Sequence, residues 1–316
     1  MRIAVADEAS KKFCKDIIEH WGKKHEVRYE NGASEHLVQW ADLYFVEWST
    51  NNIRYLYKFY HGIHDKSMYP ENWDNNKKPI MVCRAIDWDV WIGWARDQEL
   101  IDWVDKWITI SPHIEKKLRA EANFGDKLKM IRPGVDLDRF PLKKKETDGY
   151  NVGMVLGDMW VYKNVIGGLN IFAMLDQSKP WKLHIRGQHE AGEFNPVYFN
   201  HFIESRGLKD KVSLWGPVDD MNDFYEEIDI LLMPCLKESF NYGIAEAMAK
   251  GIKPVINNFY GAEKVWPNDH VFNTYTEAVD RINNLDKYYP EEYRDYIDRN
   301  YNIKRMMKEY DEWLGT

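Results

Sequence analysis

The sequence predicts an α/β protein of two doubly wound domains, each built on a parallel sheet. Three observations carry that reading. Short apolar runs alternate with longer amphipathic ones, the pattern of strand–helix–strand units. The alternation lapses at Pro141-Leu-Lys-Lys-Lys-Glu-Thr-Asp-Gly149, where charge gathers, and then starts again. The 316 residues, 44% of them apolar, suffice for two cores at the usual ~150 residues per domain.

In the first half, residues 2–6, 25–29, 42–47, 79–84, 106–110 and 127–131 read as strands, with helical segments between most of them. Ser111-Pro112 marks a helix start: Ser suits the N-cap, and Pro the first helical position, where its missing N–H costs nothing. Residues 141–149 read as the linker. Beyond it, strands are expected at 150–156, 181–186, 211–215, 229–234 and 253–257, followed by a helical tail over 275–314 that is polar on one side. No fixed-period repeat or low-complexity tract appears.

Composition narrows the function classes. Lys and Arg total 43 against 51 Asp and Glu, and the formal charge of −8 gives no global attraction to nucleic acid or anionic lipid. Cys14, Cys83 and Cys235 lack metal-ligand or redox spacing and read as buried thiols in a reducing compartment. Met1-Arg-Ile-Ala-Val-Ala reads as a strand rather than a signal peptide, because Asp7 and Glu8 interrupt it. No apolar run approaches the ~18 residues needed to span a bilayer. The expectation is a cytoplasmic protein, at most peripheral at the inner membrane face. An N-terminal helix with Phe13, Ile17 and Trp21 opposite Lys11, Lys12, Lys15, Lys23 and Lys24 would suit such a contact. The same pattern describes a helix packed on a sheet, and that reading is preferred. Trp88, Trp91 and Trp94 recur at three-residue spacing and read first as core, second as a stacking platform for an acceptor.

The most informative stretch is Pro234-Cys-Leu-Lys-Glu238-Ser-Phe-Asn-Tyr-Gly243-Ile-Ala-Glu246-Ala-Met-Ala-Lys-Gly251-Ile-Lys-Pro254. An apolar strand runs into a short loop and then a helix, which Gly251 ends at C′ and Pro254 cannot resume. Glu238 is thereby expected at a strand's C-terminal edge and Glu246 one to two turns inside the helix. In open parallel sheets ligands bind at that edge, and the free N–H groups opening the helix favour an anion there.

This segment resembles the Glu-x7-Glu signature of retaining glycosyltransferase family 4. Three further segments are similar to that family in order and spacing: Asp105-Lys-Trp-Ile-Thr-Ile-Ser111-Pro, Ile131-Arg-Pro-Gly134-Val-Asp136, and Leu156-Gly157-Asp158-Met-Trp-Val-Tyr-Lys163-Asn164. The resemblance covers roughly residues 100–260. It implies the GT-B fold, two Rossmann-like domains with parallel sheets facing an interdomain cleft: an acceptor-side domain over residues 1–143, a nucleotide-sugar domain over 150–300, and a last helix, about 303–316, crossing back to the first. It also implies a nucleoside-diphosphate sugar as donor, retention of anomeric configuration by same-face attack, and no cofactor or metal. The acceptor stays open among a glycan, a lipid-linked sugar, a small molecule and a nucleic-acid base. Asp87-Trp-Asp89 is the one stretch with the letters of a metal-binding Asp-x-Asp.

The chemistry assigns roles. Cleavage of the donor places negative charge on the leaving phosphate, which calls for fixed positive charge. Lys163, expected to open a helix over 163–176 after the Gly157 turn, can supply it, although an exposed first-turn lysine reads the same way in isolation. Backbone N–H groups at Phe240, Asn241 and Tyr242 would make the second phosphate contact. Glu246 can accept two ribose hydroxyls, against a plain helix-surface glutamate. Glu238 can meet a sugar hydroxyl or steady oxocarbenium charge, and capping the helix competes with that role. Gly216 and Val218 would lie against the base, where a plain loop is equally consistent. The family has Gly-Arg where this chain has Gly157-Asp158, so Arg186, ending a neighbouring strand, is the candidate replacement guanidinium. On the acceptor side Arg84 and Asp87 are the candidates, with a structural Arg–Asp pair equally consistent. Two other classes stay in view: a nucleotide-sugar epimerase on the same fold, and a non-catalytic nucleotide-binding scaffold.

Overall fold

The computed structural model describes residues 1–316 except 8–13, 48–50, 64–68, 70–72, 75, 88–89, 91–92, 94–95, 147, 189–195, 217, 219 and 285–287. It divides into two units, Met1–Arg132 with Lys304–Thr316, and Pro133–Ile303.

The first unit alternates β1 (Arg2–Asp7), α1 (Lys15–Trp21), β2 (Glu26–Asn31), α2 (Glu35–Trp40), β3 (Leu43–Glu47), α3 (Asn51–Tyr60), β4 (Ile80–Ala85), α4 (Gln98–Trp103), β5 (Lys106–Thr109), α5 (Pro112–Glu121) and β6 (Leu128–Met130). The six strands are parallel in the order β2-β1-β3-β4-β5-β6. Helices on both faces explain the apolar run Leu43–Val46 of β3, which is buried together with the closing Glu47, whereas the edge strand β2 stays partly exposed. Pro112 opens α5 as expected, and Ser111 holds the extended N-cap conformation without a side-chain cap bond.

The second unit follows with β7 (Asn151–Asp158), α6 (Val165–Ala173), β8 (Lys182–Gln188), α7 (Pro196–Ser205), β9 (Val212–Leu214), α8 (Met221–Glu226), β10 (Ile230–Met233), α9 (Tyr242–Ala249), β11 (Lys253–Asn257), α10 (Ala262–Val265), β12 (Val271–Phe272), α11 (Tyr275–Asn283) and α12 (Pro290–Tyr301). Its parallel order is β12-β11-β10-β7-β8-β9. Numbered from β7, that is 3-2-1-4-5-6 read from the other edge, the Rossmann order, so the connections part company between β7 and β10. The expected fold class is observed in both units, with one strand added: β12, two residues long, is too short to leave a pattern.

Two close approaches fix helices on this sheet. A Cβ at Gly168 would collide with Met154 Sδ and come within 3.1 Å of Pro234 Cγ, so α6 rests backbone-first across β7 and β10. At the end of α9, Gly251 takes φ +78°, its N–H bonds Met248 O at 3.0 Å, and Ile252 N–H bonds Ala247 O at 2.9 Å. That is the Schellman arrangement expected of a C′ glycine. Pro254 lies within β11 rather than merely after a helix. Lys253 N–H points to Asp229 O on the β10 side, so the next nitrogen faces β12, which pairs only from Ile256 onward and needs no donor there.

The last helix, α13 (Ile303–Leu314), completes the core of the first unit with Met306, Met307, Tyr310 and Leu314. The Tyr310 ring meets Trp21 and Phe45 edge-on, at centroid distances of 6.1 and 6.0 Å. Its hydroxyl accepts from Arg84 Nη1 at 3.0 Å, while Arg84 Nε is paired with Glu47; both charged side chains are buried. His20 Nε2 and Asp311 add a 2.9 Å contact, and Trp21 Nε1 donates to the same carboxylate at 3.3 Å. Ile17 and Trp21 thus face the core, as a helix packed on a sheet requires.

Replacing Tyr310 by Phe removes an acceptor from a buried guanidinium and should destabilise the protein by about 1–3 kcal/mol in urea unfolding; an unchanged midpoint would show the bond contributes nothing. Burial pushes the Glu47 carboxyl up to about 7 from its ordinary 4.5, against the opposing pull of Arg84. The folded state therefore keeps a proton that the unfolded chain has already lost. Stability from this group is complete below about pH 4.5 and lost as the pH rises through about 7. In Glu47→Gln that loss should disappear, so the stability difference between wild type and variant must drift across this window; a constant difference would contradict the assignment.

Candidate active site

In the second unit, the C-terminal ends of β7 and β10 flank the switch point, and the chain places its charged side chains there. A register shift between Val155 and Gly157 marks the end of β7, and Gly157 turns with φ +60° in open space, where a side chain would meet strain rather than a neighbour. A 3-10 turn over Val161–Lys163 follows, so Lys163 precedes α6 instead of opening it; the helix starts two residues later. The reason is Asn164, whose φ of 51° breaks the helical path and whose side chain caps α6 by accepting from Gly167 N–H at 3.2 Å. Asn164 Nδ2 donates to Pro234 O at 3.1 Å, and Leu236 N–H donates to Tyr162 O at 2.8 Å, so the loops after β7 and β10 are tied together.

Lys163 Nζ is thereby delivered onto Glu238 Oε1, with side chains only 17% and 14% exposed. Burial alone would pull the ammonium down, but Glu238 outweighs it and holds Lys163 above the ordinary lysine range, firmly charged. Asn241 Nδ2 donates to the same Glu238 oxygen at 3.0 Å, and Asn241 Oδ1 caps α9 by accepting from Ile244 N–H at 3.3 Å. Asn241, not Glu238, is the capping side chain. The amides that open α9, at Tyr242 and Gly243, precede the first intrahelical bonds and point along the axis toward this edge.

Glu246 is the fifth residue of α9, about 6 Å along the axis from its start. It is half-buried, and Tyr225 OH donates to its Oε2 at 2.8 Å. Burial first, and Glu246 second, push the Tyr225 hydroxyl well above its ordinary range, while Arg186 pulls it back. Arg186, half-buried on β8, therefore acts electrostatically on the same group, and its Nε is buried with no hydrogen-bond partner among the described residues. Sequence reasoning missed Tyr225, because Phe224-Tyr225 in a short helix carries only a core signal. It also missed the side-chain roles of Asn164 and Asn241, although Asn just ahead of an apolar helix is a capping cue.

The other expected residues fall as follows. Gly216 turns at φ +64° after β9 with open space where a Cβ would lie, and Val218 is half-buried close by. The Phe240 ring is buried, stacked on Trp266 at 5.1 Å and tilted against Tyr301 at 4.8 Å, so only its backbone is available to a ligand. Tyr242 is half-buried against Phe240. Arg84 belongs to the buried Glu47–Tyr310 network of the first unit, so its structural partner there is a glutamate. Asp87 sits half-buried just beyond β4. Trp88, Asp89, Trp91, Trp94, Lys11, Lys12 and Phe13 lie outside the described residues, as does the side chain of Asp158. Among the described residues no group of three His, Cys, Asp or Glu is placed to hold a metal ion, and no helix is long and apolar enough to cross a membrane. The three cysteines are buried and form no disulfide with one another.

Residues 151–283, which include Lys163, Arg186, Glu238 and Glu246, match the family model described as Glycosyl transferases group 1. No curated protein matches the sequence. Among solved structures, HepE from Anabaena in complex with UDP superposes with a TM-score of 0.74 at 14% identity, covering 100% of both chains. Sucrose-phosphate synthase from Thermosynechococcus elongatus gives 0.74 at 12% identity over 99% of this chain and 98% of that one. A glycosyltransferase from Rickettsia africae gives 0.68 at 14% identity over 99% and 98%. The architecture, two Rossmann-like units with parallel sheets, is thus that of GT-B glycosyltransferases.

Proposed function

We propose that the protein transfers a sugar from a nucleoside-diphosphate sugar to an acceptor with retention of configuration, and that the donor binds the second unit at the ends of β7 and β10. The observation that carries this reading is the half-buried, charged Lys163 set against Glu238 between the N-termini of α6 and α9. An ammonium and two helix starts around one point form an anion site suited to a diphosphate. The matched family region spans every residue invoked, and HepE was crystallised with UDP-glucose.

In this reading Lys163 and the α9 amides receive the charge that grows on the β-phosphate as its bond to the anomeric carbon breaks. Glu246, oriented by Tyr225, accepts the ribose hydroxyls, and Arg186 stands in for the guanidinium that Gly157-Asp158 lacks. Glu238 faces the sugar. The acceptor oxygen bonds to the anomeric carbon on the face being vacated and its proton passes to the departing phosphate oxygen, so configuration is kept and no protein nucleophile is needed. Lys163 supplies the charge a metal would otherwise bring, and the reading takes no metal. It keeps a cytoplasmic location, with at most peripheral contact at the inner membrane face.

A thermal-shift screen of UDP, GDP, ADP and dTDP sugars tests the site. A donor at 100 times its dissociation constant should stabilise the protein by ~2.7 kcal/mol, and Glu246→Ala should abolish the shift; a shift that survives places the nucleotide elsewhere. Transfer should persist in EDTA, and Lys163→Ala should lower kcat by roughly 100-fold or more; EDTA-sensitive turnover would overturn the metal-free reading. Release of isomerised free donor without acceptor would identify an epimerase, and binding without turnover a scaffold.

A further inference from the structure

Among the described residues, Asn164 and Asn241 are the two non-glycine positions with φ above zero, at 51° and 76°. Asn241, with ψ of 95°, also sits away from the left-handed helical basin that asparagine tolerates. Strain of this kind persists where the surroundings demand it. Neither the backbone nor the cap makes the demand, since glycine adopts such angles freely and is an acceptable N-cap. What glycine lacks is the second bond. Asn241 Oδ1 is committed to Ile244 N–H, so its Nδ2 must face Glu238 Oε1, 3.0 Å away, with Met233 Sδ 3.5 Å behind it. Lys163 Nζ shares that same oxygen.

We propose that the Asn241 side chain is a positioning residue, which fixes the Glu238 carboxylate, and through it Lys163, at the angle that sugar transfer requires. This rests on the donor site proposed above. Lys163 and the Cys235 thiol also bond this carboxylate, but the lysine is long and flexible and a thiol is a weak donor. The Asn241 amide, rigidly attached to the first turn of α9, is the donor that fixes its rotation. An aspartate at 241 would keep the cap but set a carboxylate against Glu238, whereas the amide carries an acceptor for Ile244 N–H and a donor for Glu238 on one planar group.

The experiment pairs Asn241→Gly with Asn241→Asp, read by crystal structures, thermal melts and steady-state kinetics with UDP-glucose. In Asn241→Gly the melting temperature should hold or rise, the Glu238 carboxylate should turn away from its present place, and kcat should fall at least tenfold while KM stays within twofold. Such a split marks an interaction used in the transition state. Asn241→Asp should lose more. The inference is overturned if Glu238 keeps its position in the Asn241→Gly crystal, or if kcat stays within twofold of wild type. Should the wild type itself leave UDP-glucose and the GDP, ADP and dTDP sugars all untouched, that counts against the donor assignment, and the Glu238 position in the crystal still decides the inference.

Discussion

The contact between Lys163 and Glu238 is possible only because the second sheet reverses its winding between β7 and β10. Each strand ends in a loop that must turn back over its own face, and at this one place neighbouring loops depart in opposite directions and leave a gap. A cation from one loop and an anion from the other fill it. Removing two charges from water is costly, and mutual attraction offsets that cost only when both geometry and further hydrogen bonds are good. Here Asn241 supplies a further bond, and two helix starts add a field that suits the carboxylate. A ligand anion arriving at this point meets a lysine already charged.

Most buried charges of the molecule do structural work by comparison. In the first unit, Glu47 and Arg84 sit at the equivalent edges of β3 and β4, yet they are closed off by Tyr310 and become part of the interior. In the second, Lys250 reaches Glu226 at 2.6 Å and Asn222 at 3.0 Å, which ties the end of α9 to α8, and Lys143 reaches Asp229 at 2.9 Å at the base of β10. The pairs differ less in chemistry than in what covers them.

The fold was legible because parallel strands covered on both faces read as unbroken apolar runs, as in residues 43–46 and 230–233, and because Gly251 and Pro112 stand at positions that few other residues suit. The short edge strand β12 was not, since two residues carry no period. In the site, the apolar strand ahead of Glu238 and Gly251 behind the helix gave the loop-to-helix step, which placed the two glutamates. Lys163 and Asn164 were read as the first helical residues because neither is a breaker by composition; the left-handed Asn164 does the breaking, and asparagine betrays that conformation only statistically. Arg84 drew attention as a charge at a strand end, and only the tertiary partners Glu47 and Tyr310, distant in sequence, show its burial.

One further consequence follows from Gly168. Because α6 touches Met154 and Pro234 with bare backbone, the height of that helix above the sheet is set by an atom that is missing. Lys163 and Asn164 ride at its leading end, so even a methyl group at 168 would lift them together, like a shim under one leg of a table. Substitution at Gly168, which bears no charge, should accordingly be felt at Lys163 and Asn164.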